Sequence, residues 1–101
     1  MLSRTDIRRE CHKTTFEKGE ELSRRGSVRN LQWTKGKEDG FEVISMEANV
    51  NGSHGNLYEV KIKIDEDYRE ILEYECECPA FYTYAGLCKH CAAVLLTYLE
   101  E

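Results

Sequence analysis

Between residues 76 and 91 the sequence reads CECPAFYTYAGLCKHC, a stretch that holds four of the chain's five cysteines and its only proline. Nothing else in the 101 residues limits the fold as strongly. A chain this short buries only a modest share of its surface, so its apolar core leaves stability marginal and a staple is expected. The thiols are odd in number. Disulfides between partners two residues apart are strained, and a reducing compartment disfavours them altogether. A single thiol here would be read as a small buried hydrophobe, but four of them with a histidine in one short stretch point to a bound metal. Thiol redox chemistry is the lesser alternative: Cys88 and Cys91 have CxxC spacing, yet no parallel βαβ unit accompanies them.

Cys76 and Cys78 are two residues apart, so in extended chain their side chains leave the same face and reach a common point. Cys88 and His90 do the same only if that pair is not yet helical. His90 is therefore expected no deeper than the opening turn of the following helix, with Cys88 just before it. The nine residues PAFYTYAGL between the pairs are enough for a loop that closes on one ion. Three thiolates and one imidazole form an ordinary tetrahedral set for Zn²⁺, and a full set is structural because a catalytic zinc keeps one position for water. The spacing leaves two second pairs open, Cys88 with His90 and Cys88 with Cys91.

Apolar residues make up 41% of the chain and charged residues 33%, enough for one thin core. Thr14 with Glu17 three residues later reads as a capping box, opening a helix that runs to Arg25 and stops at Gly26. A shorter helix is expected from about Thr5 to His12. From Ser27 the period changes: SVRNLQW is extended in character, and KGKEDG is a polar turn bounded by glycine. Ile44, Met46, Ala48 and Val50 share one parity, as do Tyr58, Val60, Ile62 and Ile64, which is how a half-buried antiparallel sheet is written. NGSHGN turns the chain between them. A last strand, about Arg69 to Cys76, is expected to put Leu72, Tyr74 and Cys76 on one side. In the C-terminal helix Ala92, Leu95, Leu96 and Leu99 define one apolar face. The expected fold class is α+β, a small antiparallel β-meander with an N-terminal and a C-terminal helix, stapled by one zinc and forming a single domain over residues 1–101.

Net charge is −5 but unevenly placed, with 10 basic and 5 acidic side chains in residues 1–37 against 4 and 14 in residues 38–101. A uniformly basic nucleic-acid binder is excluded. A local basic face built from Arg24, Arg25, Arg29, Lys35 and Lys37 remains, against the plainer reading of a solvated surface. The longest strongly apolar run, Ala92 to Leu96, is too short to cross a bilayer, and MLSRTDIRREC lacks the greasy centre of a signal peptide. An intracellular protein is expected, cytoplasmic or nucleoid-associated if bacterial. His12 and His54 read as surface residues, and Cys11 beside His12 is not the geometry of an activated nucleophile.

The arrangement CxC, nine residues, then CxH resembles the SWIM-type zinc finger of helicase-like ATPases and transposase-related proteins. FEKGEELSRRGSVRNL is similar to the segment that precedes such fingers in bacterial helicase-associated proteins, with Phe16, Gly19, Gly26 and Val28 in place. VNGSHGNLYEVKIKI resembles their central hairpin. The resemblance implies Cys76, Cys78, Cys88 and His90 as ligands of one structural zinc, with Cys91 as buried packing at the start of the final helix. It implies binding to DNA or to a protein partner as an accessory to a larger machine, without catalysis, a small-molecule substrate or membrane insertion. The sequence has no phosphate loop of the form GxxxxGK, so a motor would be another domain or chain. For nucleic acid, the basic residues would contact phosphates while Phe81, Tyr82 or Tyr84 stack on bases. The alternative is a zinc-stabilised protein-interaction module, favoured by Glu73, Glu75 and Glu77 beside a site whose own charge is near −1.

Overall fold

The computed structural model describes residues 2–52, 55–78 and 86–101. Among these residues three helices, α1 (Arg4–Arg9), α2 (Lys13–Arg24) and α3 (Lys89–Leu99), accompany four strands, β1 (Val28–Glu38), β2 (Phe41–Asn51), β3 (Leu57–Asp65) and β4 (Glu70–Cys76). The strands form one antiparallel meander in the order β1-β2-β3-β4. The α+β class and the helix, sheet, cysteine-loop, helix order expected from the sequence are what the chain forms.

Alternation carries the sheet. Ile44, Met46, Ala48 and Val50 of β2 and Val60, Ile62 and Ile64 of β3 are all buried on the helical side, with Tyr58 half-buried at the edge of the same cluster. Directly opposed pairs such as Met46 with Ile62 and Ala48 with Val60 keep the two strands in register, because a slip of one residue would turn the whole apolar set outward.

Four expectations are corrected. The capping box lies in α1, not at Thr14: the Ser3 hydroxyl accepts from the Asp6 N–H at 3.3 Å, and the Asp6 carboxylate accepts from the Ser3 N–H at 2.9 Å. Helix α2 starts at Lys13 behind an uncapped His12, because only Glu10 to His12 separate it from α1 and the Glu10 carbonyl is already held by the Leu87 N–H at 2.9 Å. Of KGKEDG, only Asp39 and Gly40 turn. Both have positive φ, 51° and 85°, and Glu38 pairs with Phe41, so this is the tight two-residue turn that suits strand twist, while Lys35, Gly36 and Lys37 stay in the ladder.

Leu72 does not share a side with Tyr74 and Cys76. Lys63 pairs with Glu73 and Ile64 with Ile71, leaving Leu72 as the extra residue of a β-bulge that turns it out to 43% exposure. Finally, α3 has no single apolar face. Every residue from His90 to Leu96 is buried, Ala93 and Val94 included, because the sheet lies on one side of α3 and α2 on another. The end of α2 is as expected: Gly26 has φ +72°, its N–H reaches the Ser23 carbonyl at 3.2 Å, and the Ser27 N–H reaches that of Leu22 at 3.0 Å, a Schellman closure.

The two long helices touch through small residues. A Cβ at Gly19 would lie 2.8 Å from the Ala92 Cβ, so the backbones approach as closely as a missing side chain allows. Nearby the Ser23 and Thr97 hydroxyls sit 2.8 Å apart, and Thr97 donates back to the Ala93 carbonyl at 2.8 Å. This contact fixes the height of α3, and hence of its first turn, against the rest of the chain.

Candidate metal centre

Cys76 is the last residue of β4, held in the ladder opposite Val60. Two residues on, Cys78 returns to the same point, and its N–H donates to the Cys76 sulfur at 3.4 Å. The other pair arrives from α3. Cys88 is the N-cap with extended backbone (φ −81°, ψ 169°), and His90 is the second helical residue. The helix therefore begins between the two side chains, and both point at the end of β4.

The exit of the cysteine loop is clamped. Gly86 has φ +87°, and a Cβ there would be 2.4 Å from the Glu10 carbonyl oxygen, the same oxygen that accepts from the Leu87 N–H. Only glycine fits, for both conformational and steric reasons. The junction of α1 and α2 thus positions the second ligand pair.

The donor atoms of Cys76, Cys78, Cys88 and His90 all lie within 4.8 Å of one another, and all four residues are buried. Zn–S bonds near 2.3 Å and a Zn–N bond near 2.0 Å put tetrahedral ligand atoms about 3.5–3.8 Å apart. The Cys76 Sγ to His90 Nδ1 distance of 3.7 Å falls in that range. Exposures of 1%, 2%, 2% and 4% keep the four side chains out of bulk solvent, and a cavity of about 210 Å³ borders Cys78, Cys88 and His90. The residues fit one structural zinc. The other ring nitrogen of His90, Nε2, is buried without a hydrogen-bond partner among the described residues, and the ring packs at 5.0 Å from that of Tyr58.

Cys91 is fully buried one helical residue beyond His90, with its sulfur 3.6 Å from that of Cys88. Hydrogen bonds from Cys76 and Cys91 hold the Cys88 thiol far below the ordinary range, whereas bonding to Cys76 and Cys88, with burial, pushes Cys91 far up. Cys11 is half-buried, its S–H donating to the Ile7 carbonyl at 3.4 Å, and burial raises it.

The basic residues singled out in the sequence do not form one face. Arg25 and Arg29 line a cavity of about 510 Å³ at the start of β1, joined there by Lys18 of α2 and Lys89 of α3, neither of which the sequence reading selected. Arg24 is exposed in the last turn of α2. Lys35 lies toward the opposite end of β1 in a different cavity, among Glu42, Glu66, Asp67 and Glu101, and Lys37 stands across from Glu42. Phe81, Tyr82, Tyr84 and His54 lie outside the described residues. Lys89 was legible only as the neighbour of two ligands; its place beside Arg25 and Arg29 is a product of tertiary structure.

An antiparallel meander whose last strand and following helix grip one ion through a CxC and a CxH pair defines a small structural zinc-binding module. Residues 58–99 match the family model of the SWIM zinc finger, and all four clustered ligands lie within that segment. No curated protein and no solved structure matches the chain. Modules of this kind are structural and generally not catalytic. Among the described residues no helix is long and apolar enough to cross a membrane.

Proposed function

We propose that the chain is a zinc-stapled nucleic-acid-binding module acting inside the cell as an accessory to a helicase-like ATPase or similar machine, and that it performs no catalysis itself. One observation carries this reading: Lys18, Arg25, Arg29 and Lys89, drawn from three elements, surround one cavity against the zinc ligand His90. Among the described residues the only carboxylate lining that cavity is Glu21, whose exposed pair with Arg25 at 3.5 Å is too weak to hold the guanidinium from a phosphate. The zinc, with three thiolates and one imidazole, supplies rigidity: it locks the start of α3, and with it Lys89, to the end of β4. Phosphate contacts from such a basin fix orientation, and Tyr82 and Tyr84, within the segment that joins Cys78 to Cys88, are the candidates for base stacking.

Binding of a labelled DNA oligonucleotide to the zinc-loaded chain, measured across salt concentrations, tests the reading. Four phosphate contacts on duplex predict a slope of log K against log salt of about −3 to −4, and each charge removed lowers it by about 1. Arg25→Gln, Arg29→Gln and Lys89→Gln should each flatten the slope, whereas Lys35→Gln and Lys37→Gln should not. Absence of binding at low salt by a chain with intact zinc rejects the proposal. The second reading, a protein-interaction module without nucleic-acid binding, draws on an apolar groove lined by Phe41, Val43, Tyr68 and Leu72 at the end of the sheet that carries the β1–β2 turn.

A further inference from the structure

The outer face of the sheet is polar along most of its length. Lys63 sits between Glu38 at 2.8 Å and Glu73 at 3.7 Å, and Lys61 is 3.3 Å from Glu59. At the end carrying the β1–β2 and β3–β4 hairpins the character changes. Phe41, Val43, Tyr68 and Leu72 line a groove of about 480 Å³ whose other walls are Glu38, Asp39, Asp65 and Glu70. Phe41, Tyr68 and Leu72 are 52%, 66% and 43% exposed, a concentration of large apolar side chains that a surface otherwise made of ion pairs does not need.

Each exposure is fixed by backbone. Leu72 is the bulge residue of β4. Phe41 closes the Asp39–Gly40 turn. Tyr68 stands on a turn held by the Asp65 carboxylate, which accepts from the N–H groups of Asp67 at 3.0 Å and Tyr68 at 3.1 Å, with Arg69 at φ +54°. The Phe41 and Tyr68 rings meet edge to face at 6.1 Å, so the groove is preformed. Of its carboxylates, Asp65 is spent on that turn and Glu38 on Lys63. Asp39 and Glu70 form no ion pair among the described residues and stand at the rim of an apolar floor.

We propose that this groove docks a basic segment of a protein partner, an aliphatic or aromatic side chain entering between Phe41, Tyr68 and Leu72 while flanking arginines or lysines meet Asp39 and Glu70. Asp39 and Glu70, with no cation paired to them among the described residues, repel nucleic acid and acidic peptides, and an apolar floor gives a purely polar basic peptide little to bind. The groove lies at the end of the sheet away from the basin: Val43 and Asn51 of β2 are eight residues apart, about 26 Å along a strand. One module therefore offers nucleic acid and protein separate surfaces at opposite poles.

Three labelled peptides test this on the zinc-loaded chain: a central leucine flanked by two arginines on each side in a Gly-Ser frame, the same with the leucine replaced by serine, and the same with the arginines replaced by glutamate. The first should bind at least tenfold more tightly than either control and shift the amide resonances of residues 39–43 and 65–72 while leaving 24–29 and 89 in place. Leu72→Ser and Glu70→Lys, both at exposed positions, should each weaken it at least fivefold with zinc content and DNA affinity unchanged. Equal binding of the leucine and serine peptides, no binding at all, or shifts confined to the basin overturns the proposal. Self-association abolished by Leu72→Ser would make the occupant a second copy of this chain, and a DNA oligonucleotide shifting residues 65–72 would make it nucleic acid; either result also overturns it.

Discussion

Replacing Gly19 by alanine sets two known effects against each other, and the structure decides the sign. In a helix interior alanine is favoured over glycine by about 1 kcal/mol, so propensity alone predicts a more stable chain. The added Cβ, however, would stand 2.8 Å from the Ala92 Cβ and 3.2 Å from both the Ala93 nitrogen and the Lys89 carbonyl oxygen. Carbon atoms rest about 3.5–4.0 Å apart, so α2 has to withdraw from α3 by roughly 0.7–1.2 Å. None of the three atoms can yield by a rotamer change, since all belong to the frame of α3. Overpacking of this kind costs about 1–3 kcal/mol. Withdrawal also stretches the 2.8 Å contact of Ser23 with Thr97. The net expectation is a loss of about 1 kcal/mol, a fall in Tm of about 4–8 °C for a chain of this size. Urea unfolding at one fixed free-zinc concentration measures it, because bound metal adds to apparent stability. Ala92→Gly in the same chain should recover part of the loss, with a coupling of about 0.5–3 kcal/mol. Zinc affinity should fall as well, since the Lys89 carbonyl is one residue from His90. A Gly19→Ala chain more stable than the parent by the propensity difference would show that the helices are not in this contact.

Removal of the ion should be as severe as unfolding: binding free energies of about 10–16 kcal/mol match the whole stability of a small domain. A strong chelator should therefore release one zinc per chain and abolish near-ultraviolet dichroism; a retained signal would demote the ion to an accessory. Cys91→Ala should keep one zinc per chain in a metal assay, and His90→Ala should not, the reverse pattern assigning the fourth ligand to Cys91. Gly86→Ala should weaken zinc binding without touching a ligand, measured by competition with a chromogenic chelator. At low pH the Asp6 carboxylate supplies a separate signal. The Ser3 N–H holds it below its usual 3.8, with smaller help from the Ser3 hydroxyl, Arg69 and Arg9. Its stabilising contribution is thus present above 3.8 and is lost as the pH falls through the lower folded-state value. Asp6→Asn should remove that part of the acid limb in unfolding curves.

What the sequence made legible followed period and spacing. Period-two alternation identified β2 and β3 and the correct inner residues, because those strands are half-buried along their whole length and nothing local competes with the pattern. The CxC and CxH spacings placed Cys88 at the mouth of α3 and His90 within its first turn, since inside a regular helix the second pair would diverge. What failed did so where a tertiary contact outweighs a local signal. Thr14 carries the better cap residue, but the Glu10–Leu87 hydrogen bond sets where α2 begins. Lys35 to Lys37 look like a loop on composition, yet cross-strand pairing with Val43, Glu42 and Ile44 keeps them extended. The bulge at Leu72 shows in the sequence only as two adjacent apolar residues, Ile71 and Leu72, in an otherwise alternating run, and that break does not say which of the two turns outward.

Charge is the clearest case of a property that belongs to topology. Along the chain the basic residues lie early and the acidic ones late, which suggests one basic face and one acidic face. The meander divides them otherwise. Each hairpin returns the chain to the same two ends, so β1 begins at the basin with Arg29 and finishes with Lys35 and Lys37 near the acidic pole, while α3, from the acidic part of the sequence, starts by delivering Lys89 to the basin. The zinc completes the sorting, because it is the join between β4 and α3 that brings Lys89 across. On this account the ion's effect on binding is geometric, since three thiolates and any divalent ion leave the same site charge near −1, and a chain folded around Cd²⁺ or Co²⁺ should bind nucleic acid as the zinc form is proposed to do, whereas Lys89→Gln with zinc in place should not.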